Sequence, residues 1–216
     1  MTALLAYSQA AHDALSVLRD PQHFQWSTVT LFALVAYLYF NEVGKRNWDL
    51  LLAALVTWGL EFLAEIANAL ILHFSEFSAL WVIAGPSSFL ILTGLNIEIS
   101  MMFCVAYLAF LKMLPADRDQ KILGLPNRWF FVIVNSLVCV VIEVLLNVWG
   151  VLVWDYWFWG WPHVWSVFLF AYAPSVVFLY VVYDRTTIRQ KLALGAAIYL
   201  LDLVCIIIFA VVLRWI

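Results

Sequence analysis

Five carboxylic residues stand inside long apolar stretches of this chain: Glu61, Glu65, Glu98, Glu143 and Asp202. By insertion scales an acid at the centre of a bilayer costs about 3 kcal/mol. Only Arg214, near the end of the last stretch, offers a basic neighbour within these stretches, so internal ion pairs do not account for the acids. They are expected to be held protonated or to share protons. Glu61 and Glu65 are four residues apart, on one face of a helix. Asn68 continues that stripe and Trp58 precedes it. Asn96 and Glu98 form a second group, and Glu143 and Asn147 a third, one turn apart. Any one of these groups serves as readily as hydrogen-bond glue between helices. Together they point to a shared cavity in the middle and non-cytoplasmic half of a membrane. A carboxyl group in such a place can protonate an alkene or an epoxide, and a second one can take the proton back.

The aromatic residues form the second cluster. Trp154 to Trp165 contains seven Phe, Tyr or Trp in twelve positions, among them Trp154, Tyr156, Trp157 and Trp161. Interfacial belts of Trp and Tyr anchor membrane helices. Aromatic faces also attract cations, so indoles above a pit of acids suit a greasy molecule that is, or becomes, positively charged.

Elements of this composition are membrane helices. Of 216 residues, 66% are hydrophobic and 12% charged, and the mean hydropathy is +0.98. Soluble domains are about 45–50% apolar and about 25% charged. A soluble enzyme, a disordered tail and a nucleic-acid binder are all excluded on that ground. The expected fold is all-α, a polytopic bundle with spans at Ser27–Phe40, Leu50–Leu72, Phe89–Leu111, Trp129–Val153, Trp165–Tyr183 and Leu192–Leu213. Pro174 should kink the fifth. Phe77–Ser88, with Gly85-Pro86, reads as a loop or re-entrant piece. Residues 1–20 form an N-terminal amphipathic, interfacial helix, and 21–216 a single transmembrane bundle. In Ala3–Leu18 the residues Leu4, Ala11, Ala14, Leu15 and Leu18 share a face opposite His12 and Asp13. A seventh span there is the alternative. With no basic n-region, a signal peptide is not expected.

Nine of the 11 basic residues fall in three alternate loops, 41–49, 112–128 and 184–191. The positive-inside rule places those loops in the cytoplasm and both termini, the C-terminus included, outside. Cys104, Cys139 and Cys205 have no paired spacing and read as packing residues. The four histidines lack HxxxH or HxxH spacing, so no metal site is expected. GxSxG, Walker A, GxGxxG and HExxH are absent from the sequence. The chemistry under consideration needs no cofactor.

The chain resembles the small integral-membrane terpene cyclases of meroterpenoid biosynthesis in size, hydropathy and span pattern over most of its length. The residues that carry the likeness are Trp58-Gly59-Leu60-Glu61, Leu200-Leu201-Asp202 and Leu92-Thr93-Gly94-Leu95-Asn96-Ile97. That family protonates prenyl epoxides or olefins with membrane-embedded acids, one beside a Trp in an early helix and one in the last helix. The resemblance therefore implies proton donation by Glu61 or Asp202. Two departures stand. The family's Trp and Glu are adjacent, whereas two residues intervene here, and the family has seven spans. Carotenoid hydratases and heterodimeric lycopene cyclases look similar at this level.

The expected activity is thus a cofactor-independent isoprenoid cyclase of the lyase or isomerase kind. Glu61 or Asp202 donates the proton, Glu65 keeps one carboxyl of its pair protonated, and Glu98 or Glu143 takes the last proton or holds the substrate head. Trp58, Asn68, Asn96, Asn147, Trp154, Tyr156, Trp157 and Trp161 line the substrate. The partners are a lipophilic small molecule and the lipid bilayer, with no nucleic acid. The alternatives are a proton-coupled transporter or binding protein for a cationic lipophile, which a homodimer would enlarge, and an assembly subunit whose acids only bind neighbours.

Overall fold

The computed structural model describes residues 7–84 and 89–216. Leu4, on the amphipathic face expected at the N-terminus, and Gly85-Pro86 lie outside the described residues. The structure is predominantly helical. A short helix α1 (Gln9–Val17) is followed by α2 (Ser27–Gly44), α3 (Trp48–Ser75), α4 (Ile97–Lys112) and α5 (Asn127–Val148). The last two are α6 (Trp165–Arg185) and α7 (Ile188–Val212). Among the described residues, α3, α5, α6 and α7 are long and apolar enough to cross a membrane.

Local sequence sets the helix ends. Ser8 caps α1 by accepting from Ala11 N at 3.1 Å. Thr187 and Gln190 form a reciprocal capping box at the start of α7. The third span expected from Phe89 begins only at Ile97. Leu90–Leu92 (β2) and Leu95–Asn96 (β3) pair as a hairpin through Thr93-Gly94, and Asn96 Oδ1 then accepts from Ile99 N at 2.8 Å to cap α4. The fourth expected span also ends early, at Val148. Leu152–Val153 (β4) instead pairs antiparallel with Val82–Ile83 (β1). In α6 the helix widens to π geometry over Phe168–Tyr172. Pro174, two residues past its end, has no N–H to give to Phe170 O, and the wider turn absorbs the missing bond.

Helix α3 is the centre. It packs against α7 on one side and α4 and α6 on the others. The α7 contact is close because two glycines meet it. A Cβ at Gly59 would lie 3.0 Å from Ile198 Cγ2, and one at Gly195 would lie 3.2 Å from Val56 Cγ2. A core of Leu51, Ala54, Val56, Tyr107, Leu108, Val176 and Leu179 fills the half of the bundle nearer the basic loops.

The two ends differ. At the basic-loop end the acids are paired. Glu42 accepts from Lys112 at 2.6 Å and Lys45 at 3.0 Å. Arg128 forks onto Asp184 at 2.7 and 3.0 Å. Buried Lys191 reaches Asp49 at 2.9 Å and the carbonyls of Tyr183 and Thr186. The opposite end is closed by a cap of α1, the β1–β4 pair and the β2–β3 hairpin. Ala10, Ala11 and Ala14 of α1 are buried in it against Leu72, Ala79, Val82 and Leu90. Asp155 staples the cap, accepting from Ser8 Oγ at 2.5 Å and Ser78 Oγ at 2.6 Å.

Candidate functional site: an acid-lined cavity among α3, α4, α5 and α6

Between the basic-end core and the cap lies a half-open cavity of about 720 Å³. That falls within the range of small-molecule sites, about 300–1,000 Å³. Its wall is mostly Leu, Ile, Ala and Phe. The exceptions are chiefly Glu61, Glu65 and Asn68 from α3, Glu143 from α5, and Tyr172 and Ser175 from α6. Glu61 sits midway along the 28 residues of α3. Glu65 and Asn68 follow at one-turn steps toward the cap, so the helical period alone turns all three to the cavity.

Each glutamate meets neutral donors instead of a cation. Glu61 Oε1 accepts from the Tyr107 hydroxyl and from Ser175 Oγ at 2.5 Å. Those two hydroxyls lie 2.8 Å apart. The other Glu61 oxygen has no hydrogen-bond partner among the described residues. Glu65 accepts from the Trp81 indole N–H at 3.0 and 3.2 Å. Asn68 fixes the backbone around that indole. It donates to Trp81 O at 2.8 Å and accepts from Leu80 N at 2.8 Å. Glu143 accepts from Trp154 Nε1 at 2.9 Å, with the Tyr172 hydroxyl beside the same carboxyl. Glu65 lies within electrostatic range of both Glu61 and Glu143. No Lys, Arg or His lines the cavity among the described residues.

The structure brings together Glu61, Glu65, Glu143 and Asn68, with Trp154 behind Glu143. Other residues singled out in the sequence lie elsewhere. Asp202, on α7, is buried away from the cavity, and neither of its oxygens has a hydrogen-bond partner among the described residues. Glu98 is in the first turn of α4 and accepts from Thr28 Oγ1 at 2.9 Å. Trp58 donates to Ser100 O at 3.0 Å, tying α3 to α4. Asn96 caps α4, and Asn147 donates to Leu152 O at 2.9 Å, closing the end of α5. Tyr156 donates to Ser78 O in the cap. Trp157 and Trp161 are 77% and 75% exposed and face outward from the fold.

Several contributors were not apparent from the sequence. Tyr107 and Ser175 hold Glu61, Trp81 holds Glu65, and Trp159 stacks on Trp81 at 5.8 Å to form the roof. Pro174 and the π segment were the one local signal, because they set where Tyr172 and Ser175 point. Gly94 is a tight point of the cavity lining. A Cβ there would lie 2.5 Å from Trp81 Nε1 and 2.6 Å from both Asn68 Nδ2 and Glu65 Oε2. Among the described residues no group of three or more His, Cys, Asp or Glu is placed to hold a metal ion.

Long apolar helices around an acid-lined, otherwise greasy cavity define an integral-membrane helical protein. A sequence model of the family described as "Uncharacterized membrane protein family" matches residues 8–211, and the chain belongs to that family. It is 43% identical over 209 residues to an uncharacterized protein of Archaeoglobus fulgidus, covering 97% of this chain and 99% of that relative. No solved structure matches.

Proposed function

We propose that this chain crosses the bilayer six times and uses the carboxyl groups of its cavity for cofactor-independent acid–base chemistry on a lipophilic, isoprenoid-like substrate. In this topology α2 to α7 are the spans, α1 lies in the non-cytoplasmic cap, and loops 41–49, 112–128 and 184–191 face the cytoplasm. The observation that carries the reading is that Glu61, Glu65 and Glu143 line one apolar cavity with no basic residue among its described lining.

Glu61 is the proposed proton donor. Two hydroxyls converge on its Oε1, which leaves the proton for the other oxygen. Transfer to an alkene breaks that O–H bond and forms a C–H bond. The π pair is used up and a cation remains on the neighbouring carbon. A second double bond attacks it and closes a ring. Loss of a proton from carbon to Glu65 or Glu143 restores an alkene, so the product is an isomer and no redox partner is needed. Trp81 and Trp159, stacked at the roof, offer faces to the cation.

The test is an assay of membranes carrying the chain with farnesyl- and geranylgeranyl-derived olefins and epoxides, read by mass spectrometry and NMR. A cyclised isomer or hydrate that disappears in Glu61→Gln supports the reading. No product from any substrate overturns it. A second reading, a proton-coupled carrier or binder of a cationic lipophile, draws on the same three unneutralised acids. It predicts pH-dependent uptake into proteoliposomes without turnover.

A further inference from the structure

We infer that the cavity fills from the side, through a portal between α4 and α5, and that its occupant is a membrane-resident lipophile that reaches the acids without crossing water. The inference rests on the cavity's assignment as the binding site and adds the route and the source of the ligand.

The cavity is half-open, and the cap covers the end it meets. There Gly94, Leu152 and Trp159 are buried, and the Trp81–Trp159 stack covers the site. Toward the basic loops the packed core around Tyr107 and Leu108 closes it. Exposure appears instead at mid-height. Met102 on α4 and Ile142 on α5 both line the cavity at 43% and 39% exposure, and on α6 the lining residues Phe170, at 69%, and Pro174 are exposed too. On the wall of α3, Ala64 and Ala67 are exposed as well.

Helix packing explains the gap. Helix α3 binds α4 on one side and α6 on the other, and α5 packs principally on α6. Helices α4 and α5 hardly touch among the described residues. They are joined at their basic-loop ends, where Asn127 donates to the carbonyls of Asp117, Arg118 and Gln120. Above that tie their facing sides are lined with Ile99, Met102 and Ala106 against Cys139, Ile142 and Leu146. An apolar slot at that depth opens onto acyl chains. A water-soluble molecule would have to cross lipid to reach it, whereas a molecule already dissolved in the bilayer has no such barrier.

The test uses the full chain in proteoliposomes with a farnesyl alcohol bearing an aliphatic diazirine. Light should fix label on the peptides holding Ala64, Ala67 and Cys139. It should also label the lipid-facing residues Leu203 and Val211 of α7. Narrowing the portal with Met102→Trp plus Ile142→Trp should cut the cavity label by about tenfold, the effect of an overpacked wall, and leave the α7 label unchanged. Widening it with Met102→Ala plus Ile142→Ala should raise the rate of cavity labelling. An unlabelled cavity wall in the unaltered chain overturns the portal, as does cavity label indifferent to both pairs. Equal labelling by a doubly charged, water-soluble diazirine overturns it too. Side-loading without any turnover keeps the portal and removes the acid chemistry.

Discussion

The Trp81 indole N–H straddles the Glu65 carboxyl, 3.0 Å from one oxygen and 3.2 Å from the other. Gly94 presses on that pair with no room for a side chain. Gly94→Ala is therefore expected to destabilise the protein by about 1–3 kcal/mol, seen as a lower Tm in nanodiscs. A Tm equal to the parent's would show the seam to be loose. Trp81→Phe keeps most of the packing and strips Glu65 of its donor, costing about 1–3 kcal/mol for the stranded carboxyl.

Asp202 and Glu61 should respond oppositely to neutral replacement. Asp202 is a buried carboxyl without a hydrogen-bond partner among the described residues, so Asp202→Leu should stabilise the fold by about 1–3 kcal/mol. Asp202→Asn should retain turnover, and Glu61→Gln should lose it. Loss of activity in a well-folded Asp202→Asn protein would move the proton donor to α7.

Acid should weaken the basic-loop end first at Glu42, which lies beyond the apolar stretch 27–40. Lys112, then Asn47, then Lys45 hold its carboxyl down to about 2, from 4.5. A folded-state value below the unfolded one stabilises above the unfolded value, and that contribution fades as pH falls from about 4.5 toward 2. Denaturation curves between those limits should be shallower for Glu42→Gln than for the parent. Identical slopes would remove Glu42 from the acid response.

Topology is checked by single cysteines in a background with Cys104, Cys139 and Cys205 changed to Ser. Lys121→Cys should react with a membrane-impermeant thiol reagent only from the cytoplasmic side, and Trp157→Cys only from the other. The reverse pattern would invert the proposed orientation.

Much of the helical layout was legible in the sequence because hydropathy and period report on burial directly. The stripe Glu61, Glu65, Asn68 was legible for the same reason: 3.6 residues per turn places them on one face wherever α3 sits. The helix starts at Ile97 and stops at Val148 were not. Residues 89–92 and 151–153 are as apolar as the helices they adjoin; the first fold back on Leu95–Asn96 as a hairpin, and Leu152–Val153 are drawn out by pairing with the distant Val82–Ile83. Nor could depth alone separate Glu143 from Asp202. Both are acids inside apolar helices, and which neighbour each faces depends on the rotation of α5 and α7 in the bundle. Tyr107, Ser175 and Trp81 gave no signal, since hydroxyls and indoles are ordinary in membrane proteins.

Helix α3 presents the acids on one side and, through Gly59, seats α7 on the other. Inserting or deleting one residue between Gly59 and Asn68 would swing everything beyond it by about 100°. Either the acids would leave the cavity or the glycine seat would turn away from its partner. Changes in chain length are thus tolerable at the exposed turn Leu123-Gly124, between the paired Lys121–Ile122 and Leu125–Pro126, and intolerable across this stretch of α3. The bundle is in effect indexed on one decapeptide, and the remaining helices are free to adjust around it.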